Sequence, residues 1–67
     1  MKTSPRFHIG DRVRTTRQVW GLPLGSTGTI HQVILASDLY DVRFDAQPML
    51  RIVHGDALEL VRRASTK

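Results

Sequence analysis

Apolar residues in this chain recur at every second position in short runs, and no segment repeats them with a helical period. The clearest run covers residues 39–44, where Tyr40, Val42 and Phe44 take one side and charged residues take the other. Glycine, proline and aspartate interrupt the runs at short intervals, as turns require. The pattern therefore predicts an all-β fold.

Five short strands are predicted, over residues 11–16, 27–35, 39–44, 49–53 and 58–61. Residues 17–26 carry two glycines and a proline and are predicted to form a long first loop, whereas residues 54–57 suit a single 3₁₀ turn before the last strand. A sheet with one apolar face cannot bury that face while flat, so we expect a small five-stranded barrel. The predicted core comprises Val13, Ile30, Val33, Tyr40, Val42, Phe44, Leu50, Ile52, Leu58 and Leu60.

The chain has 67 residues and no cysteine. This length predicts one domain with a thin core, and the lack of cysteine excludes disulfides and thiolate metal sites. We expect a barrel over residues 7–61, a flexible N-terminal end over 1–6 and a flexible basic tail over 62–67. No apolar run is long enough to cross a membrane or to act as a secretory signal, which favours a cytoplasmic protein.

The net charge of +4 and the high sequence pI of about 10.8 raise the question of nucleic-acid binding. Half of the ten basic residues lie in the two predicted ends, namely Lys2, Arg6, Arg62, Arg63 and Lys67. The segment between them holds five arginines and all six acids, so it is close to neutral. The basic excess therefore belongs to the ends, where it either solubilises the domain or attracts phosphate in a salt-dependent manner.

Four short segments contain recurring patterns. They are Gly-Asp-x-Val-Arg within residues 9–14, Gly-x-x-Gly-x-Ile at 25–30, x-Val-x-Phe within 40–44 and x-Leu-Glu within 56–60. Over residues 7–61 this pattern resembles small SH3-like barrels. These include the variable subunit of ferredoxin–thioredoxin reductase, small accessory subunits of photosynthetic complexes and a nitrogenase-maturation accessory family. The resemblance implies a non-catalytic barrel without a cofactor that docks on a larger protein.

Residues 7–14, 50–53 and 57–59 also resemble plasmid-borne type II dihydrofolate reductase, another SH3-like barrel. In that family a glutamine, an isoleucine and a tyrosine line a pore shared by four subunits, and an early lysine attracts the anionic ligands. The matching positions here are Arg51, Ile52, Val53 and Thr15, so only the isoleucine is retained. Four copies of an arginine around one axis would repel one another. The resemblance therefore extends to the scaffold, and we expect no enzymatic activity.

The single tryptophan, Trp20, lies in the first loop beside Leu22, Pro23 and Leu24. An exposed loop aromatic with apolar neighbours is typical of a protein-binding surface. Alternatively, the indole folds back and caps an open end of the barrel. On the binding hypothesis Trp20, Leu22 and Leu24 form an apolar anchor. Its charged rim is formed by Arg14, Arg43 and Arg51.

A second hypothesis is weak, salt-dependent nucleic-acid binding through the ends and the outward arginines of the strands. Its candidate residues are Arg12, Arg14, Arg51, Arg62 and Arg63. Against this, outward arginines often pair with nearby acids, and no aromatic residue interleaves with these to stack on bases.

The three histidines are far apart and lack ligand spacing, so no metal site is expected. We expect a monomer or a weak homo-oligomer.

Overall fold

The computed structural model describes residues 5–34, 37–47 and 49–64. Its elements in chain order are β1 (Arg12–Thr15), β2 (Thr27–Ile34), β3 (Leu39–Phe44), β4 (Leu50–His54), a 3₁₀ turn (Gly55–Ala57) and β5 (Leu58–Arg62). The all-β class, the five strands and the 3₁₀ turn before the last strand are thus confirmed. Position 35, predicted as the end of the second strand, lies outside the described residues. Within the described part of the chain, no helix is long and apolar enough to cross a membrane.

All five strands form one antiparallel sheet in the order β4-β3-β2-β1-β5. This order, with a 3₁₀ turn before the last strand, is consistent with an SH3-like fold. Among the described residues, β4 and β5 do not pair with each other, so the sheet is not closed as a full barrel would be. Each of these two strands therefore has one edge without a neighbouring strand.

The core lies on one face of the sheet and contains six of the predicted residues. These are Val13, Ile30, Tyr40, Val42, Phe44 and Leu58, while Val33 is partly buried against them. Two further core residues come from outside the strands, namely Phe7 before β1 and Leu22 in the first loop. The Phe7 ring meets the Tyr40 ring edge to face, with 5.2 Å between the centroids. Loop residues thus complete a core that a short sheet cannot fill alone.

The predicted inward face of β4 is wrong. Leu50 is 42% exposed and Ile52 is 64% exposed, whereas Val53 is buried. The cause is the pairing with β3, because Val53 lies opposite the buried Tyr40. Opposed residues in an antiparallel pair point to the same face, so Val53 joins the core and its neighbours point away. Leu60, also predicted in the core, is 39% exposed because it lies on the edge strand β5.

Gly28 lies at a close approach of β2 to β3. A Cβ atom on Gly28 would come within 2.7 Å of the Arg43 carbonyl oxygen and 2.9 Å of the Phe44 Cα. Real side chains do not reach such distances, so only glycine fits without a backbone shift. The strand pair on which the core rests therefore depends on this residue.

A tight turn before β1 is built on Asp11, which is 2% exposed. One carboxylate oxygen accepts the His8 N–H at 2.9 Å, and the other accepts the Ala64 N–H at 2.8 Å. The turn thus binds the start of the domain to the segment that follows β5. The predicted flexible ends lie partly outside the described residues. Of their described part, Arg6 donates its N–H to the Tyr40 hydroxyl, and Arg62 is the last residue of β5.

Candidate functional site

The first loop contains a hydrogen-bonded β-turn at residues 19–22. The Leu22 N–H donates to the Val19 carbonyl oxygen at 2.9 Å, and Gly21 has a φ of 81°. A positive φ at the third position of a turn strongly favours glycine there. Trp20 therefore occupies the second position, at the corner of the turn, where its side chain points away from the loop backbone. We call residues 19–22 the Trp20 turn.

Two large apolar residues of this turn have opposite environments. Leu22 is 3% exposed and packs in the core, whereas Trp20 is 87% exposed. The indole therefore does not cap an open end of the sheet, and that alternative is wrong. Leu22, proposed with Trp20 and Leu24 as part of an exposed anchor, instead fixes the turn to the domain. Leu24 is 64% exposed, so Trp20 and Leu24 form the apolar surface of the loop.

The base of the loop is held by the hydroxyl of Thr15, a residue that is 2% exposed. The Thr15 Oγ1 accepts the Gly25 N–H at 2.8 Å and the Ser26 N–H at 3.0 Å. It also donates to the Pro23 carbonyl oxygen at 3.4 Å. Because three backbone groups share one buried hydroxyl, the loop has a defined path. The sequence reasoning missed this role, since a threonine in a β-strand is unremarkable in composition.

Arg51 of β4 holds the Trp20 turn through hydrogen bonds. Its guanidinium donates to the Trp20 carbonyl oxygen and, at 3.2 Å, to the Gln47 side-chain oxygen. Gln47 in turn donates to the Gly21 carbonyl oxygen at 3.3 Å. Trp20 and Arg51 were both predicted as binding residues from separate segments, and the structure brings them together. Gln47 was not predicted, and no sequence pattern pointed to it.

Arg12, Arg14 and Arg43 lie on the face of the sheet opposite the core, whereas Arg62 ends β5 and Arg63 follows it. Arg12 donates to both carboxylate oxygens of Asp45, at 2.9 and 2.6 Å, and Arg14 donates to Glu59. The Arg12 guanidinium, followed by the Thr27 hydroxyl, lowers the pKa of Asp45 to about 2. Among the described residues, Arg43 and Arg62 form no ion pair, whereas the Arg63 guanidinium lies 3.8 Å from Asp11. The predicted row of arginines is therefore interrupted by acids.

One group of side chains was not anticipated. Asp38, His54 and Asp56 place one ligand atom each within 4.8 Å of one another. The Arg6 guanidinium already lies among them, at 2.7 Å from Asp56 and 3.1 Å from Asp38. Its hydrogen bond lowers the pKa of Asp56. A divalent cation would have to displace this guanidinium, and the group serves to hold the segment before β1 against the 3₁₀ turn.

The site thus consists of an indole, a leucine side chain and a guanidinium on a hydrogen-bonded loop. These groups offer apolar contact area and hydrogen-bond donors, which suit binding rather than bond-making chemistry. No family model, curated protein or solved structure matches this chain.

Proposed function

We propose that this domain is a non-catalytic, SH3-like accessory module that docks on a protein partner by inserting Trp20 into an apolar pocket. The observation that carries the proposal is the 87% exposure of the only tryptophan, on a turn whose backbone is fixed at several points. Tryptophan is among the residues most enriched at the energetic centres of protein interfaces. An apolar ring of this size in water has no stabilising role in the isolated domain.

The magnitude of the expected contact supports this function. A tryptophan side chain buries roughly 150–250 Å² when fully covered, which corresponds to a gross gain of about 4–6 kcal/mol. Association normally loses part of such a gain when a loop is ordered on binding. Here the turn is already ordered by the Leu22 N–H, by Arg51 and by Gln47. Most of the ordering cost is therefore met in the free protein.

The charged rim of the proposed site is smaller than the sequence suggested. Arg51 lies directly beneath the Trp20 turn, whereas Arg14 and Arg43 lie on the opposite face of the sheet. Leu24 remains as a second apolar contact. The proposed docking residues are accordingly Trp20, Leu24 and Arg51.

The nucleic-acid alternative has weaker support. Arg12 and Arg14 are engaged by carboxylates, and Arg51 is engaged by the loop. Releasing these partners to reach phosphate would offset part of the electrostatic gain. A steep fall of DNA or RNA affinity with salt, together with sensitivity to Arg62→Gln and Arg63→Gln, is what that alternative requires.

The test uses Trp20 both as a variant position and as a reporter. We expect the free domain to fluoresce like tryptophan in water, and a difference spectrum with a purified retained protein to show emission at shorter wavelength. Proteins retained by the wild-type domain on a column should be lost with Trp20→Ala. The matched control is Ile9→Ala, because Ile9 is 64% exposed but lies outside the loop.

Two results would contradict the proposal. One is a Trp20→Ala domain that folds normally and retains the same proteins as the wild type. The other is a nuclease-sensitive set of retained proteins, which would indicate binding through nucleic acid. Nuclear magnetic resonance spectra of each variant show whether the fold is intact before the retained proteins are compared.

A further inference from the structure

The free edge of β4 exposes backbone groups from a defined set of residues. The Gly55 N–H donates to the Asp38 carbonyl oxygen at 2.8 Å, immediately beyond the paired residues Leu39 and His54. Hydrogen-bonded and non-hydrogen-bonded pairs alternate along an antiparallel ladder. The two pairs that bond β4 to β3 are therefore Tyr40–Val53 and Val42–Arg51. The N–H and C=O groups that point away from β3 belong to Leu50, Ile52 and His54.

The side chains of the same strand divide into two chemically distinct rows. Leu50 and Ile52 are 42% and 64% exposed on the face opposite the core. Arg51 points to the other face, where its guanidinium lies against the Trp20 turn. Along one edge, the strand thus combines free backbone groups, exposed aliphatic side chains and a cation bonded to the backbone of the Trp20 turn. No described strand pairs with this edge.

We propose that the partner docks by adding an extended segment to the edge of β4 as a sixth strand of the sheet. This proposal rests on the proposed function and specifies the partner's chemistry. Main-chain hydrogen bonds to Leu50, Ile52 and His54 would give affinity, while alternate side chains would give specificity. Apolar residues of the segment face Leu50 and Ile52, and an acidic residue faces Arg51.

The acidic residue follows from the surroundings of Arg51. Its hydrogen-bond acceptors in the described structure are a carbonyl and an amide oxygen, both neutral. A carboxylate on an added strand would supply the missing opposite charge at the position directly across from Arg51. The same guanidinium orients the Trp20 turn, so the peptide and the indole pocket belong to one binding surface.

A second copy of the chain is a poorer occupant of this edge. A two-fold pairing of β4 with itself centred on Ile52 would place Arg51 opposite Val53 of the other copy. The two Arg51 side chains would then be diagonal neighbours, roughly 7–8 Å apart on one face. Neither β4 strand offers an acid to neutralise them. The charges of the edge therefore favour a foreign acidic strand.

The probe for the test is a peptide of about eight alternating valines and glutamates, blocked at both ends, at a usual strand length. The control peptide has the same composition with valines and glutamates in separate blocks. In hydrogen exchange, the alternating peptide should slow exchange of the Leu50, Ile52 and His54 amides. The amides of Arg51 and Val53, already bonded to β3, should change little. Equal protection by both peptides, or protection outside β4, would overturn the proposal.

Two variants at one position test the edge further. Ile52→Pro removes an edge N–H that β3 does not use, and proline is tolerated on edge strands. We expect about tenfold weaker peptide binding for Ile52→Pro. Ile52→Thr retains the N–H and should bind more tightly than Ile52→Pro. If Ile52→Pro fails to fold, the amide protection pattern of the wild type still decides the question.

The outcomes separate this proposal from the proposed function. Loss of partner capture with Trp20→Ala but no protection of the β4 amides refutes the added strand and leaves the docking function standing. Amide protection by the peptide supports the added strand with or without Trp20, since the peptide has no pocket for the indole. A dimer that protects the same three amides without peptide would show that a second copy occupies the edge.

Discussion

Hydrogen bonds hold both the turn built on Asp11 and the turn that presents Trp20, but they have different roles in the two turns. In the Asp11 turn, a buried carboxylate accepts two backbone N–H groups and joins the start of the domain to its last described segment. In the Trp20 turn, backbone carbonyls are held by Arg51 and Gln47, yet the side chain at the corner stays in water. The first arrangement stabilises the fold, whereas the second fixes a surface group in place.

Order in a loop is therefore not by itself evidence of a stabilising role. The Asp11 turn would lose two hydrogen bonds to a buried carboxylate if that side chain were removed, and backbone N–H groups left without an acceptor are costly. Removal of the Trp20 indole would leave no buried group without a partner. The free energy of unfolding of variants in each turn therefore shows whether stabilising the fold and presenting a surface side chain are separate roles.

The largest expected effect is that of Leu22→Ala, which should lower the free energy of unfolding by about 3 kcal/mol because it opens a cavity in a small core. Leu24→Ala is the matched control, since Leu24 lies in the same loop and is 64% exposed. It should change the free energy of unfolding by less than about 0.5 kcal/mol. Urea denaturation of both variants measures the difference. Equal effects would mean that the loop has no buried anchor.

Next in size is Asp11→Ala, which should cost about 2 kcal/mol because the N–H groups of His8 and Ala64 lose their acceptor. The control is Asp41→Ala, because Asp41 of β3 forms no ion pair among the described residues. This change should lower the free energy of unfolding by less than about 0.5 kcal/mol. Thermal denaturation and exchange of the Ala64 amide report the two effects. If Ala64 stays protected in Asp11→Ala, the link between the two ends does not depend on the carboxylate.

The smallest expected effect concerns Asp45, whose pKa is lowered to about 2 by Arg12 and Thr27. A carboxyl whose pKa is lower in the folded state stabilises the fold above its unfolded pKa, near 4, and this stabilisation is lost as the pH falls through about 2. Asp45→Asn should therefore destabilise by less than about 1 kcal/mol at neutral pH, since the pair is exposed and screened by salt. Denaturation curves over this pH range, at low and high salt, should show the difference between wild type and variant vanish in acid.

The strands with strict alternation were predictable. β3 begins and ends at the predicted residues, and its buried side chains Tyr40, Val42 and Phe44 are those of the period-two pattern. The face of β4 was not, because Leu50, Ile52 and Val53 put apolar residues at both odd and even positions. Only the pairing of Val53 with Tyr40 decides which face is buried, and a single sequence does not contain that register.

The main residue of the site, Trp20, was predictable, but the residues that hold its loop in place were not. Trp20 beside a proline and leucines pointed to the first loop, but the opposite environments of Trp20 and Leu22 depend on a turn only two residues wide. Thr15 and Gln47 act through side-chain contacts with the loop backbone, and Asp11 acts through a residue 53 positions away. Such contacts follow from the three-dimensional path of the chain and leave no local pattern.

The carboxylate that accepts both the His8 and the Ala64 N–H brings two distant parts of the polypeptide to a single point. A short designed peptide bridge at that point would make the domain circular. New termini could then be opened in the β2–β3 connection, away from Gln47 and Arg51, without changing the strand order. In such a permuted protein, the Trp20 turn and the free edge of β4 would stay together, while the chain termini would lie at a different place on the domain.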